Sequence, residues 1–482
     1  MASIVAAVIL LVLTRSKHVT AQVDPMFAAR HSCNATCQAY TDIGLAFESS
    51  QHATANDPFY TVSSNFTPDS QPGTILSIET ITNLTNYTVP SGLTMSRFQY
   101  TTTNLNGTAV PASAYILWPY TPYIPKNSNS SSDSKIPLVA WAHGTTGSGA
   151  LCSPSNFQAL QYNFIVPFPL ALAGFAIVAP DYAGLGVSHF ANGTRIPHAW
   201  LSSPSQANDL ANAVLAARSA FPALSADFVV MGHSEGGAAS YAFAERQAHS
   251  PISGYLGAIS IGPLATPIKQ VEAAFADPQD KFLQSSFSYQ DMLIAAVTAD
   301  YPAYNYSGFT DLGLKRWQIL MKYGGCLPTS ILLFADVNLA TMVGQPGWYQ
   351  DTTVQTWAAR ISSGGRPLVG PLLVIAGEDD TAVALETVEG AFNASSALAQ
   401  NANQSMELAV YQGLDHFPTI DGAHAKWMDW IKARFDGEVI ATNRLHTSTF
   451  IKGPRLAGTK QSTLPNWLVQ LPVPLDVWKT AL

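Results

Sequence analysis

The chain has 482 residues, enough for two or three average domains or for one large α/β domain with insertions, and its 47% hydrophobic content supports a sizeable core. Charged residues make up only 12%, the formal net charge is −8 and no basic stripe occurs, which argues against a nucleic-acid partner. No Cys/His spacing suggests a metal site, and H-E-x-x-H is absent.

The chain starts MASIVAAVILLVLTRSKHVTAQ. Its apolar run, residues 4–13, is about ten residues long and too short to span a bilayer. It matches the h-region of a signal peptide over 1–21, with V-T-A before Gln22 as the cleavage site. The basic n-region is missing, so a membrane-anchored N-terminus is the alternative. Residues 22–56 read as irregular and polar.

Strand-like segments follow: ILSIETI, SRFQYTTT, a turn at NLNG, then PASAYILWP. KNSNSSSDSK is a solvated loop. Beyond it strands alternate with helices. IPLVAWA and FAIVAPD are strands, and PSQANDLANAVLAARSAF is an amphipathic helix. Such alternation predicts a mostly parallel sheet covered on both faces.

The stretch FVVMGHSEGGAAS carries the chemistry. An apolar strand stops at Gly232, and Gly236 lies two residues beyond Ser234. A sharp strand-to-helix turn strains its central residue and leaves room only for small neighbours, so G-x-S-x-G here reads as a nucleophile elbow. A glycine-rich turn with an incidental serine is the plainer reading. The strand before and the small-residue helix after it favour the elbow.

After the strand YLGAISIG the rhythm breaks. Residues 264–368 read as helical and aromatic-rich, far longer than an ordinary connection. They are expected to form a cap over the strand ends, where open α/β sheets place their sites. Next, PLLVIAGEDDTAV offers Glu378, Asp379 and Asp380 as the acid. The pattern G-x-x-D-x-x-V selects Asp380, with Asp379 as the register alternative. The strand MELAVYQ leads to His416 in GLDHFP, and AHAKWMDWIKARF is the final helix.

A serine nucleophile needs a base near neutral pH, and the order expected of this fold class is Ser, acid, His. Downstream of Ser234 only His249, His416, His424 and His446 remain. His249 leaves no room for an intervening acid, His424 opens the last helix and His446 falls in the tail, which leaves His416. Asp415 adjoins His416 too closely to orient its ring. The oxyanion needs two backbone N–H groups. One is assigned to Glu235. The other is Thr145 in VAWAHGTTGSGALC, with Thr146 as the alternative, and His143 is expected to order this loop.

Sequons occur at Asn34, Asn65, Asn83, Asn86, Asn106, Asn129, Asn192, Asn305, Asn393 and Asn403, which points to a glycoprotein of the secretory route. Four cysteines suit an oxidising compartment and allow three pairings. Cys33–Cys37 with Cys152–Cys326 is preferred, because the first pair closes a short local loop.

Together these segments resemble the fungal secretory lipases, the group of α/β hydrolases that includes the yeast lipase A type. SRFQYTTTNLNGTAVPASAYILWP is similar to the family's strand pair before the catalytic core. AHGTTGSGALCSPS matches its H-G-T-T-G followed by C-x-P-S, APDYAGLG its P-D-Y-x-G-L-G loop, and GHSEGGAA its elbow. The likeness spans residues 57–437. It implies an α/β-hydrolase fold with a helical cap inserted after the sixth strand, and hydrolysis of carboxylic esters including acylglycerols. It also supports a Cys152–Cys326 bridge between core loop and cap. The segments 22–56 and 438–482 have no clear counterpart, and Glu235 stands where the family often has a neutral side chain.

The expected layout is a signal peptide (1–21), an irregular segment (22–56), a hydrolase core (57–263 and 369–437), a cap (264–368) and a tail (438–482). The expected chemistry is secreted, cofactor-free ester hydrolysis through Ser234, His416 and Asp380, on small-molecule or lipid esters met in transient contact with a lipid surface. One rival is a peptidase or acyl transferase with the same triad, in which Glu235 holds a substrate ammonium. The other is a non-catalytic binding protein, against which the triad in correct order argues.

Overall fold

The computed structural model describes residues 22–54, 56–126, 135–440 and 445–450. The signal segment 1–21, the sequon at Asn129 and the tail beyond 450 lie outside the described residues.

Among the described residues ten strands form one sheet: β1 (Ile75–Glu79), β2 (Leu93–Thr103), β3 (Ala109–Pro119), β4 (Ile136–Ala142), β5 (Ala176–Pro180), β6 (Leu224–His233), β7 (Tyr255–Ile261), β8 (Leu372–Gly377), β9 (Met406–Tyr411) and β10 (Leu445–Phe450). Their spatial order is β1-β2-β3-β5-β4-β6-β7-β8-β9-β10. The edge from β1 to β5 is antiparallel, and from β5 to β10 every pairing is parallel. Strands such as IPLVAWA are apolar at nearly every position because both faces are covered.

The helices before the long insertion are α1 (Pro25–Arg30), α2 (Ala35–Gln51), α3 (Pro167–Leu172), α4 (Ser203–Ala220) and α5 (Glu235–Gln247). The chain between β7 and β8 contributes α6 (Pro267–Ala276), α7 (Gln290–Asp300), α8 (Asp311–Tyr323), α9 (Leu327–Leu333), α10 (Leu339–Met342) and α11 (Thr352–Ile361). Finally come α12 (Leu385–Asn401), α13 (Pro418–Gly422) and α14 (His424–Phe435).

Alternation along β4 sorts the core into two layers. Val139 and Trp141 face a cluster with Phe168 and Leu170 of α3 and Trp427 and Ile431 of α14. Leu138 and Ala140 face a second cluster with Leu210 and Val214 of α4, Phe243 of α5 and Val388 of α12. A third cluster belongs to the insertion and takes in Trp200 and Leu201.

Two readings change. Residues 22–56 are not irregular: they hold α1 and α2, whose Val23, Ala28, Cys33, Cys37 and Leu45 join the insertion's apolar cluster. The tail supplies a strand, β10, paired with β9, and His446 lies in it. The insertion leaves the sheet after β7, the strand YLGAISIG, where the sequence placed it; β1 lies outside the family's count of strands, which makes this its sixth. Both disulfides, Cys33–Cys37 and Cys152–Cys326, are present. The second ties the loop after β4 to the start of α9.

Candidate active site

The parallel strands β6, β8 and β9 deliver Ser234, Asp380 and His416 from their C-terminal ends. Ser234 sits between β6 and α5 with φ 61° and ψ −120°, a left-handed backbone that costs a non-glycine residue energy. Its N–H donates to the Ile261 carbonyl at 2.9 Å, which fixes the turn against β7. The flanking glycines are obligatory. A Cβ on Gly232 would lie 2.0 Å from the Gly236 carbonyl oxygen, and one on Gly236 would lie 2.0 Å from that of Ala142.

His416 Nδ1 lies 2.7 Å from Asp380 Oδ2, with both residues buried. A carboxylate only accepts, so Nδ1 carries the hydrogen and Nε2 presents its lone pair. Asp380 Oδ1 accepts from the N–H groups of Ala382 and Val383 at 2.9 and 2.8 Å, which fixes its other oxygen toward the ring. Gly262, next to the residue that holds the Ser234 N–H, faces this pair: a Cβ there would sit 3.1 Å from His416 Cε1. His233 completes the packing. Its ring lies 4.3 Å from that of His416, its Nε2–H faces the His416 carbonyl at 3.3 Å, and its Nδ1 meets the Tyr162 hydroxyl at 2.8 Å. Burial holds His233 well below the usual histidine range, so it is neutral.

The structure thus places Asp380 against His416, while Asp379 is exposed. Asp415 has a different task. It accepts from the N–H groups of Thr381 and His416, both at 2.8 Å, and so joins the two loops. His424 is half-buried at the start of α14.

On the other side of Ser234 lies the loop after β4. A Cβ on Gly144 would lie 3.2 Å from Ser234 Cβ and 2.1 Å from the Tyr162 hydroxyl, so this position admits only glycine. Burial lowers His143 to about 4, and its Nδ1 lies 2.8 Å from the Gly144 carbonyl, an ordering contact. Thr145 Oγ1 accepts from Trp200 Nε1 at 2.9 Å. The Thr146 carbonyl accepts from Leu327 N–H at 2.8 Å, beside the Cys152–Cys326 bridge.

Sequence reasoning missed the insertion's hold on the site. Gln270 of α6 donates to the Ala382 carbonyl at 2.9 Å and accepts from Ala384 N–H at 3.2 Å, bracing the loop that carries Asp380. Tyr289 of the insertion packs 5.8 Å from Trp200, over the Thr145 loop. A lone glutamine in a helix gives no signal of such a task.

The rival reading in which Glu235 holds a substrate ammonium does not fit the position of its carboxylate. The side chain is 1% exposed and is turned inward to His198 and Gln206. The helix that starts at Glu235 dictates this, because its first side chain must pack between sheet and α4. Among the described residues no group of three or more His, Cys, Asp or Glu could hold a metal ion. Among them, too, no helix is long and apolar enough to cross a membrane.

A family model described as the Alpha/beta hydrolase family matches residues 139–427. No curated protein matches the sequence. Among solved structures, Candida antarctica lipase A in its closed state is similar at 15% identity and a TM-score of 0.63, over 88% of this chain and 92% of that one. The rice cell wall degrading esterase LipA from Xanthomonas oryzae is 20% identical with a TM-score of 0.55, over 76% and 97%. A putative hydrolase from Legionella pneumophila is 15% identical with a TM-score of 0.54, over 76% and 98%. At these identities the likeness speaks for the fold.

Proposed function

The chain belongs to the alpha/beta hydrolase family, and from that premise we propose that it is a secreted serine hydrolase of carboxylic esters, with acylglycerol-type lipids among its substrates. The observation that carries this reading is the 2.7 Å His416–Asp380 pair beside a strained serine elbow. Ser234 Oγ gives its proton to His416 Nε2 and attacks the ester carbonyl. The oxyanion forms against the N–H groups of Glu235 and Thr145, and His416 then protonates the leaving alcohol. Water, deprotonated by the same ring, releases the acid.

Helices α6–α11 act as a cap. Trp200, hydrogen-bonded to Thr145 in the loop beside Ser234, packs 5.8 Å from Tyr289 of the insertion, and an apolar cover of this kind favours esters over charged substrates. Secretion is supported by the N-terminal segment, by two disulfides and by sequon asparagines that, Asn129 aside, are all exposed. The lipase and esterase names of the similar structures agree with an ester substrate.

A panel of p-nitrophenyl esters and triacylglycerols, assayed with the wild type and Ser234→Ala, tests the reading. The wild type should hydrolyse esters, and the variant should lose activity by on the order of a million-fold while remaining folded. A variant that keeps a tenth of the rate would sink it.

A further inference from the structure

Glu235 follows the elbow serine, yet its carboxylate lies in the interior. Oε1 accepts from the Gln206 amide and lies 3.3 Å from His198 Nε2. Oε2 is buried without a hydrogen-bond partner among the described residues. His198 is itself only 5% exposed, and its Nδ1 lies 3.1 Å from the Ala183 carbonyl. Its ring is parallel to that of Tyr182, 6.2 Å away.

Proton accounting fixes the state of this pair. A carbonyl only accepts, so His198 Nδ1 carries a hydrogen. Nε2 and Oε1 then face each other. Two bare lone pairs at that distance in a buried site would repel and leave both groups unsatisfied. One proton therefore lies between them, on the nitrogen or on the oxygen. Either way the pair carries no net charge.

We propose that His198 is a positioning residue: by sharing this proton it keeps Glu235 fixed and the pair free of net charge, so that the Glu235 backbone N–H can serve the oxyanion. The inference rests on Ser234 being the nucleophile. Without the proton, a carboxylate would sit one residue from the developing negative charge, in a site with little water to screen it. The other titratable groups around Glu235 are His143, Tyr162 and Tyr182, and those around His198 are Asp209 and Asp300. None replaces His198. Burial keeps His143 neutral by lowering it to about 4, holds both tyrosines far above their usual range and raises Asp209 to about 7.

The test uses His198→Gln, Glu235→Gln and the double variant, with kcat and KM followed between about pH 5 and pH 9. His198→Gln should lower kcat by about ten- to a hundredfold at neutral pH, with KM changed less than about threefold. Its deficit should deepen as pH rises, because no partner is left to share a proton with the buried carboxyl. Adding Glu235→Gln to His198→Gln should recover most of the lost kcat and flatten the pH dependence. Glu235→Gln alone should fall several-fold without a pH-dependent deficit. A loss in His198→Gln that is equal at all pH values, or a double variant no better than that single one, would overturn the proposal. Should His198→Gln not fold, a pH-dependent deficit in Glu235→Gln would overturn it equally. Labelling of wild-type Ser234 by a fluorophosphonate reads the nucleophile separately, so failure of the two ideas can be told apart.

Discussion

Ser234 is held at φ 61° because β6 must turn into α5 within one residue, and that strain lifts its oxygen clear of the sheet. His416 and Asp380 are fixed by hydrogen bonds from their own loops, so their roles should separate cleanly from those of their neighbours. His416→Ala is expected to be as damaging as Ser234→Ala. Asp380→Asn should cut kcat by on the order of ten-thousand-fold through loss of the correct tautomer, and Asp379→Asn by no more than a few-fold. Rates on a p-nitrophenyl ester check this. A crippling Asp379→Asn with a mild Asp380→Asn would shift the acid by one residue. These positions were legible because glycine spacing and strand order leave so few candidates. His198 was not. It reaches Glu235, at the start of α5, from 37 residues away in the connection between β5 and α4, and no local pattern reports such a contact.

At the scale of elements, α2 is the main surprise, and its sequence explains why. Its buried positions are Cys37, Thr41, Gly44, Leu45, Phe47 and Glu48; apart from Leu45 and Phe47 they are small or polar, so they give no apolar stripe. They suit a close helix crossing instead. A Cβ on Gly44 would lie 2.7 Å from the Thr329 Cα. Glu48 accepts from the N–H groups of Cys326 and Thr329 at 2.9 and 2.7 Å, so it holds the first turn of α9 next to the disulfide. Burial raises its carboxyl from 4.5 to about 7 against the pull of those donors. The folded state therefore keeps a proton that the unfolded chain has already released. That stabilisation is complete below the ordinary carboxyl value and is lost as pH rises through about 7. The melting-temperature advantage of the wild type over Glu48→Gln should thus be larger near pH 5 than near pH 8. An advantage that is constant or grows with pH would show that Glu48 is ionised throughout. β10 escaped notice for a related reason: LHTSTF is a polar, half-exposed edge strand without a core-facing signal.

At the scale of the whole molecule, sheet and insertion are tied at several points: by Cys152–Cys326, by Leu327 on Thr146 and by Gln270 on the Asp380 loop. Alternating strands and helices made the sheet legible, and the length of the insertion made it stand out. Its hold on the site comes from single polar side chains and was not. The 174-residue separation bridged by Cys152–Cys326 makes its removal costly, roughly 3–5 kcal/mol by loop closure, whereas Cys33–Cys37 spans only four residues and should matter far less. Heat-inactivation half-lives of the paired alanine variants measure the contrast, and equal half-lives would refute it. Under a cap of this kind each further buried CH₂ adds about 0.8 kcal/mol, so medium or long acyl chains should be preferred to acetate. Acetate as the best ester in the panel would contradict an apolar acyl pocket. The most direct measurement is of the covalent intermediate itself. Wild-type protein, quenched in acid during turnover of a slow p-nitrophenyl ester, is digested and its peptides are weighed. The account predicts the mass of the acyl group on the peptide that contains Ser234, and none on Ser234→Ala. Turnover with no adduct on Ser234, or with the acyl group on another residue, would contradict it.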